Sequence, residues 1–192
     1  MTADQDRTAQ DLELVRRTAS GDEKAFEELV GLYQHSVLNT IHRYAGDYGM
    51  ADDIAQEVFL IVWNKAGSFK GRSKFSTWLY RIVVNQCLQS RRKTRHSVES
   101  LDAVADERGT PESLQVADDP DRRERTEAVR MAMTGLPERQ RIALVLSHYE
   151  GRPYKEIAEI MDTSLSAVES LIFHAKENLR RKLVDQGIYS SS

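Results

Sequence analysis

The stretch YKEIAEIMDTSLSAVESLIFHAKENLRRKL, residues 154–183, holds two helical patterns separated by a turn. In the first, Ile157, Ala158 and Met161 fall on one side of a short helix running from Tyr154 to Met161. Asp162-Thr163-Ser164 supplies a tight turn. In the second, Val168, Leu171, Ile172, Ala175 and Leu179 cluster within roughly a 100° arc, so they form one buried face. Ser166-Ala167-Val168-Glu169 fits a capping box, with Ser166 as cap and Glu169 reaching back. Two helices joined by so short a turn make a helix-turn-helix. The opposite face of the second helix carries Ser166, Ser170, Phe173 and Glu177, flanked by Glu169 and His174. An outward Phe does nothing for solubility, whereas against duplex DNA it fits a thymine methyl group. Ser170 can donate or accept at a base edge, and Lys176, Arg180, Arg181 and Lys182 lie where a helix leaving the major groove meets phosphates. An ordinary helical hairpin with a basic end is the plain alternative.

Helical spacing extends upstream from this pair to about Arg123. Leu136-Pro137-Glu138 marks a helix start, with Pro137 in the first turn, and Gly151-Arg152-Pro153 breaks that helix. From His96 to Asp121 the periodicity fails. Between Glu99 and Asp121 there are eight acidic residues and one basic, Arg108, with Gly109, Pro111 and Pro120 as breakers. This composition predicts a flexible acidic linker. Farther upstream, Asp22 is a candidate N-cap for a long amphipathic helix bearing Phe26, Leu29, Val30, Tyr33, Val37, Leu38, Ile41 and Tyr44. A second helix is expected from about Ala51 to Lys65, with Ile54, Val58, Ile61 and Val62 inward, and a third from about Ser76 to Arg92. The expected fold is all-α. Two small helical domains, 20–95 and 123–184, are joined by linker 96–122, with a tail or first helix at 1–19 and a C-terminal tail at 185–192.

Lys70 to Arg95 contains eight basic residues and no acidic one, in a chain whose 27 basic and 30 acidic residues give a net charge of −3. Such a local excess marks a partner surface. Phe69, Phe75, Trp78 and Tyr80 interleave with it. Basic residues track phosphates while aromatic rings stack on unpaired bases, a combination suited to holding a strand open. The competing reading places the rings in the core. For Leu79, Ile82 and Val83 the core reading prevails; for Trp78 and Tyr80 both stay open. Upstream, Asp53, Gln56, Glu57, Leu60 and Asn64 share one face of the second helix. An acidic stripe with an embedded Leu suits docking on a basic protein helix, and a solvated face is the simpler reading.

The one cysteine, Cys87, permits no intramolecular disulfide, and no apolar run approaches the length of a membrane span. The polar, acidic stretch Met1 to Asp11 is unlike a signal peptide. A soluble cytoplasmic protein is expected. The histidines His35, His42, His96, His148 and His174 are scattered, and no phosphate-binding glycine loop or nucleophile elbow is present. No catalytic residue, metal ligand, cofactor or small-molecule substrate is therefore expected, and Cys87 reads as a buried structural thiol.

These segments, in this order, resemble the extracytoplasmic-function (ECF, group 4) sigma factors of the sigma-70 family. The resemblance rests on Asp52-Asp53-Ile54-Ala55-Gln56-Glu57-Val58-Phe59 with Trp63, and on residues 69–82 (FKGRSKFSTWLYRI) with Asn85. It continues in Leu136-Pro137-Glu138-Arg139-Gln140-Arg141 and from Tyr154 to Leu183. It spans about Ser20 to Leu183. It implies that the first domain is sigma region 2, docking on the β′ coiled coil of core RNA polymerase through Asp53, Gln56, Glu57, Leu60 and Asn64. Lys70, Arg72, Ser73, Lys74, Phe75, Trp78, Tyr80, Arg81 and Asn85 would bind the −10 element, with one base flipped into a pocket. The second domain would be region 4, reading the −35 duplex through Ser166, Glu169, Ser170, Phe173, His174, Lys176 and Arg180. The linker would thread the polymerase channels, contacting the β and β′ subunits. An anti-sigma factor, often membrane-bound, is the family's usual regulator, which would hold the chain at the inner membrane and tie it to a stress or envelope regulon. One departure concerns the reading helix. Family members commonly carry several arginines there, whereas this chain has Glu169 and Glu177, which repel phosphate, and His174, mostly neutral at pH 7. A conventional regulator that binds an operator alone, usually as a dimer, is the alternative, and it leaves Lys70–Arg95 unexplained.

Overall fold

The computed structural model describes residues 3–98 and 120–188. Within them lie eight helices: α1 (Ala3–Ala19), α2 (Glu23–Ala45), α3 (Tyr48–Lys65), α4 (Phe75–Val98), α5 (Pro120–Thr134), α6 (Glu138–His148), α7 (Tyr154–Ile160) and α8 (Leu165–Asp185). A short 3-10 turn, Ala66–Ser68, follows α3, and no strand occurs among the described residues. The stretch expected as a linker lies almost wholly outside them. Its expected ends shift, because α4 runs on to Val98 and α5 already starts at Pro120. None of the described helices is long and apolar enough to cross a membrane.

α1 to α4 form the first unit. Asp22 caps α2 as expected, accepting the Ala25 N–H at 3.1 Å and pairing with Arg17 at 2.7 Å, which pins the corner between α1 and α2. α2 ends at Gly46, whose φ of 73° is a left-handed value that favours glycine. Asp47 then caps α3 by accepting the Met50 N–H. α1 is an integral wall of this unit rather than a tail. Leu14 and Val15 are buried, and Asp11 accepts a 2.5 Å hydrogen bond from the Tyr33 hydroxyl. Burial raises the Asp11 carboxyl above its ordinary range, against the opposing pull of Tyr33 and Arg7.

Leu29, Val37, Ile41, Val58, Val62, Leu79, Val83 and Cys87 are almost completely dry and belong to one apolar cluster. Burial pushes the Cys87 thiol up to about 12. Because the thiolate is the reactive form, the native chain should leave a disulfide reagent such as DTNB unreacted at about pH 8 and react fully once unfolded. Fast native labelling would contradict this packing.

α5 to α8 form the second unit. The face expected to be buried on α8 is so: Val168, Ile172 and Ala175 are enclosed, and Leu171 and Leu179 half-enclosed. The cap is different. Ser164, not Ser166, accepts the Ala167 N–H at 3.2 Å, so the helix starts at Leu165 and Ser166 lies inside its first turn. With the start moved back, Glu169 lies beyond the position from which a capping box closes.

The two units pack on each other. Ile142, Ala143, Leu146, Ile157, Ile160, Val168 and Ile172 belong to the same apolar cluster as the first unit's core. Polar contacts frame the junction at two places. At the carbonyl end of α2, Arg141 from α6 donates to the Tyr44 carbonyl at 2.8 Å and Arg130 from α5 to Gly46 at 2.5 Å, beside Arg91 of the first unit's own α4, which donates to Ala45 at 3.4 Å. Cations suit the negative end of a helix dipole. At the other place α7 lies along α4.

Candidate nucleic-acid interface

Three surfaces were expected to carry function, and their exposure differs. On α3, Asp53, Gln56, Glu57, Leu60 and Asn64 are all exposed along one stripe. Leu60 is 62% exposed, between Glu57 and Asn64 on that stripe. On α8, Ser166, Glu169, Ser170, Phe173, His174, Lys176 and Arg180 are all exposed. Phe173 is also 62% exposed and touches only the His174 ring, at 5.4 Å between centroids, among its aromatic neighbours.

The third surface is divided. Residues 69–74 form a loop between the 3-10 turn and α4. Its Lys70, Arg72 and Lys74 are exposed and Ser73 is partly so. Gly71 holds the loop's bend at φ 67°, where a Cβ would come within 3.3 Å of Leu12 on α1. The loop is therefore backed by the first helix. Beneath it, Phe69, Phe75 and Trp78 form a three-ring cluster with centroids 5.5–5.8 Å apart. Such tilted pairs add about 0.5–1.5 kcal/mol each beyond burial. Asn85 is exposed one face further along α4.

Two residues expected to touch DNA are instead buried in this arrangement. Phe75 is enclosed, with its ring 5.3 Å from that of Tyr33. Tyr80 is enclosed by the second unit. Its hydroxyl donates to Glu150 at 2.8 Å, and the Arg152 guanidinium lies 3.8 Å over its ring. Trp78 is half-buried against its two phenylalanines. Arg81 is exposed but donates to the Glu159 carbonyl at 2.7 Å. Thr77, Arg141 and Glu156 take part in the junction and did not stand out in the sequence. The only signal was a cation, Arg141, at the edge of the apolar run Ile142–Leu146.

Residues 29–97 match the Sigma-70 region 2 family, and residues 126–179 match Sigma-70 region 4. The chain is 38% identical to the RNA polymerase sigma-H factor of Pseudomonas aeruginosa, over 91% of this chain and 94% of that protein. This chain belongs to the extracytoplasmic-function sigma factors of the sigma-70 family. The ECF RNA polymerase sigma-E factor of Escherichia coli K12 is 37% identical, over 88% of this sigma factor and 92% of that one. Two solved structures share its fold. The Bartonella quintana sigma factor RpoE, in complex with the anti-sigma factor NepR, aligns with TM-score 0.69 at 22% identity, covering 83% of this chain and 97% of that one. CnrH, in complex with the cytosolic domain of CnrY, aligns with TM-score 0.65 at 23% identity, covering 92% and 98%. As a sigma factor the chain acts in transcription initiation, with RNA polymerase and promoter DNA as its partners. The region 2 match runs from within α2 through α4, and the region 4 match runs from within α5 into α8, with the helix-turn-helix in α7 and α8.

Proposed function

We propose that this sigma factor docks on core polymerase through the α3 stripe, reads a −35 duplex with the exposed face of α8, and captures the melted −10 strand with the 69–74 loop and Asn85. The observation that carries this reading is the exposed cationic loop, held in shape by Gly71 and an aromatic base, one helix away from an acidic stripe whose side chains have no partner among the described residues. Opposite charges side by side on one small unit suit two different partners, nucleic acid for one and a basic protein helix for the other.

Opening DNA costs roughly 1.4 kcal/mol of stacking per base-pair step, and each base stacked on an aromatic returns about 1–3 kcal/mol. Capture of one or two bases therefore offsets much of local melting without ATP. Phe69 and Trp78 are the partly exposed rings placed for this. On α8, Phe173 is the apolar reader for a thymine methyl and Ser170 a hydrogen-bonding one. Glu169 and His174 replace the cations usual at such places, so phosphate attraction falls to Lys176, Arg180 and Arg181. The acidic linker serves the polymerase channels. A protein anti-sigma factor of the kind bound by RpoE restrains the cytoplasmic chain, and a membrane-bound regulator would hold it at the inner membrane.

The test is permanganate footprinting of open complexes with Lys70→Ala, Arg72→Ala and Asn85→Ala combined. All three side chains are exposed, so the fold should persist. Loss of reactive thymines around the start site is expected, together with a shallower salt dependence, by about 0.7 in log–log slope for each single-strand phosphate contact removed. Unchanged opening would dismiss the role assigned to the loop.

A further inference from the structure

A cavity of about 440 Å³ lies where the end of α2 meets α5, and none of the three surfaces described above includes it. Val129 and Met133 of α5, with Tyr149, which follows α6, give it apolar walls. Its rim is charged, and the charges are not equivalent. Arg130 is committed to the Glu127 carboxylate and the Gly46 carbonyl. Asp47 is committed to the Met50 N–H as the cap of α3. Arg43 and Arg125 make no hydrogen bond or ion pair among the described residues. Arg43 lies over the Tyr149 ring, 4.6 Å from its centroid, a contact that leaves its N–H donors unspent.

Two guanidiniums with donors to spare, beside an apolar hollow, match an anion that carries an apolar body. A bare anion would leave the walls wetted, and a neutral apolar molecule would leave the arginines unanswered. Tyr149 and Arg43 together make a platform suited to a flat ring, and the Met133 thioether suits a ring edge. The volume falls within the roughly 300–1,000 Å³ usual for ligand sites. We propose that this cavity binds a small aromatic anion, an aryl carboxylate or sulfonate, with its rings against Tyr149 and α5 and its charge on Arg43 and Arg125.

One local field opposes an anion here, the carbonyl end of α2, which carries roughly half a negative charge. It is already answered. The last carbonyls, of Tyr44, Ala45 and Gly46, receive Arg141, Arg91 and Arg130. Three full cations outweigh the end of one helix, so Arg43 and Arg125 add to a field that is positive before they are counted. The lining comes from both units, His42 and Arg43 from the first and α5 with Tyr149 from the second. A ligand held there stabilises the chain in proportion to how far its concentration exceeds its Kd.

The full-length chain is titrated calorimetrically with naphthoate, and with naphthamide as its neutral counterpart. One site per chain is expected, with naphthamide at least about tenfold weaker. Arg43→Gln with Arg125→Gln should weaken naphthoate at least about tenfold, because charge-assisted hydrogen bonds are lost. Both side chains are exposed, so the melting temperature of the unliganded double variant should match the wild type. Val129→Trp fills the hollow while sparing both arginines, and should abolish binding in a chain whose helical circular dichroism is intact. Leu60→Ala and Phe173→Ala, which remove the other exposed apolar groups, should bind naphthoate as the wild type does. Affinity that survived the arginine exchange, or was equal for naphthamide, would overturn the site. So would dependence on Leu60 or Phe173, or no binding at about millimolar naphthoate. Any of these failures would leave polymerase docking and promoter reading untouched, because none of the residues exchanged at the cavity belongs to those surfaces.

Discussion

Exchanging Asp53 and Glu57 for Lys, with Leu60→Ala, is expected to weaken association with core polymerase by about a hundredfold or more, roughly 2.7 kcal/mol. The three positions share the exposed stripe of α3. None makes a side-chain hydrogen bond or ion pair among the described residues, so the fold does not depend on these side chains. Surface changes of this kind usually stay within about 0.5 kcal/mol of stability, and the melting temperature should move by no more than about 2 °C. The docking loss has three sources. Two attractive charges are removed, two like charges face the basic partner, and Leu60, 62% exposed when free, no longer contributes its area. Competition against a labelled sigma factor for a limited amount of core enzyme measures the effect. Retention of binding within threefold would detach α3 from polymerase docking. A drop with no change in the salt dependence would show that Leu60 alone matters.

Leu79→Ala should lower the unfolding free energy by about 2–5 kcal/mol, a large part of the roughly 5–15 kcal/mol that a domain possesses. Leu79 is fully buried on α4 and belongs to the cluster that continues through α6, α7 and α8. The cavity would therefore be felt in both units. Urea unfolding followed by far-ultraviolet circular dichroism reports all helices, while fluorescence reports only Trp63 and Trp78, both in the first unit. Coincident, equally shifted transitions are expected. Two separated transitions, or a shift below about 0.5 kcal/mol, would show that the shared core does not bind the units into one cooperative block.

Much of this arrangement is written in local spacing. The dry face of α8, the outward Phe173, the Asp22 cap and the bare stripe of α3 each follow from three- and four-residue periodicity or from one capping side chain. What periodicity does not encode is the identity of the surface that a buried face meets. Tyr80 read equally well as a base platform or as core, and its burial depends on Glu150 and Arg152, 70 or more positions away. Arg141 did not stand out, because burying a guanidinium is favourable only when acceptors converge on it, here the Tyr44 carbonyl of α2 and the Leu136 carbonyl just ahead of α6. The Ser164 and Ser166 hydroxyls are both competent caps two residues apart. The choice between them was made by where the turn after α7 releases the chain, which the composition of the turn does not specify. α1 was underrated because its buried set is small, Leu14 and Val15 with the polar Asp11 and Thr18, and a stripe half made of polar atoms gives a weak apolar signal.

The converging carbonyls around Arg141 also carry a thermal consequence. Ionic groups are hydrated less favourably as water warms, so the penalty for keeping this guanidinium dry shrinks with rising temperature, while apolar contact gains little more. The grip of α6 on the end of α2 is thus the part of the junction that heating weakens least, and a cell under heat would lose other contacts between the two units before this one.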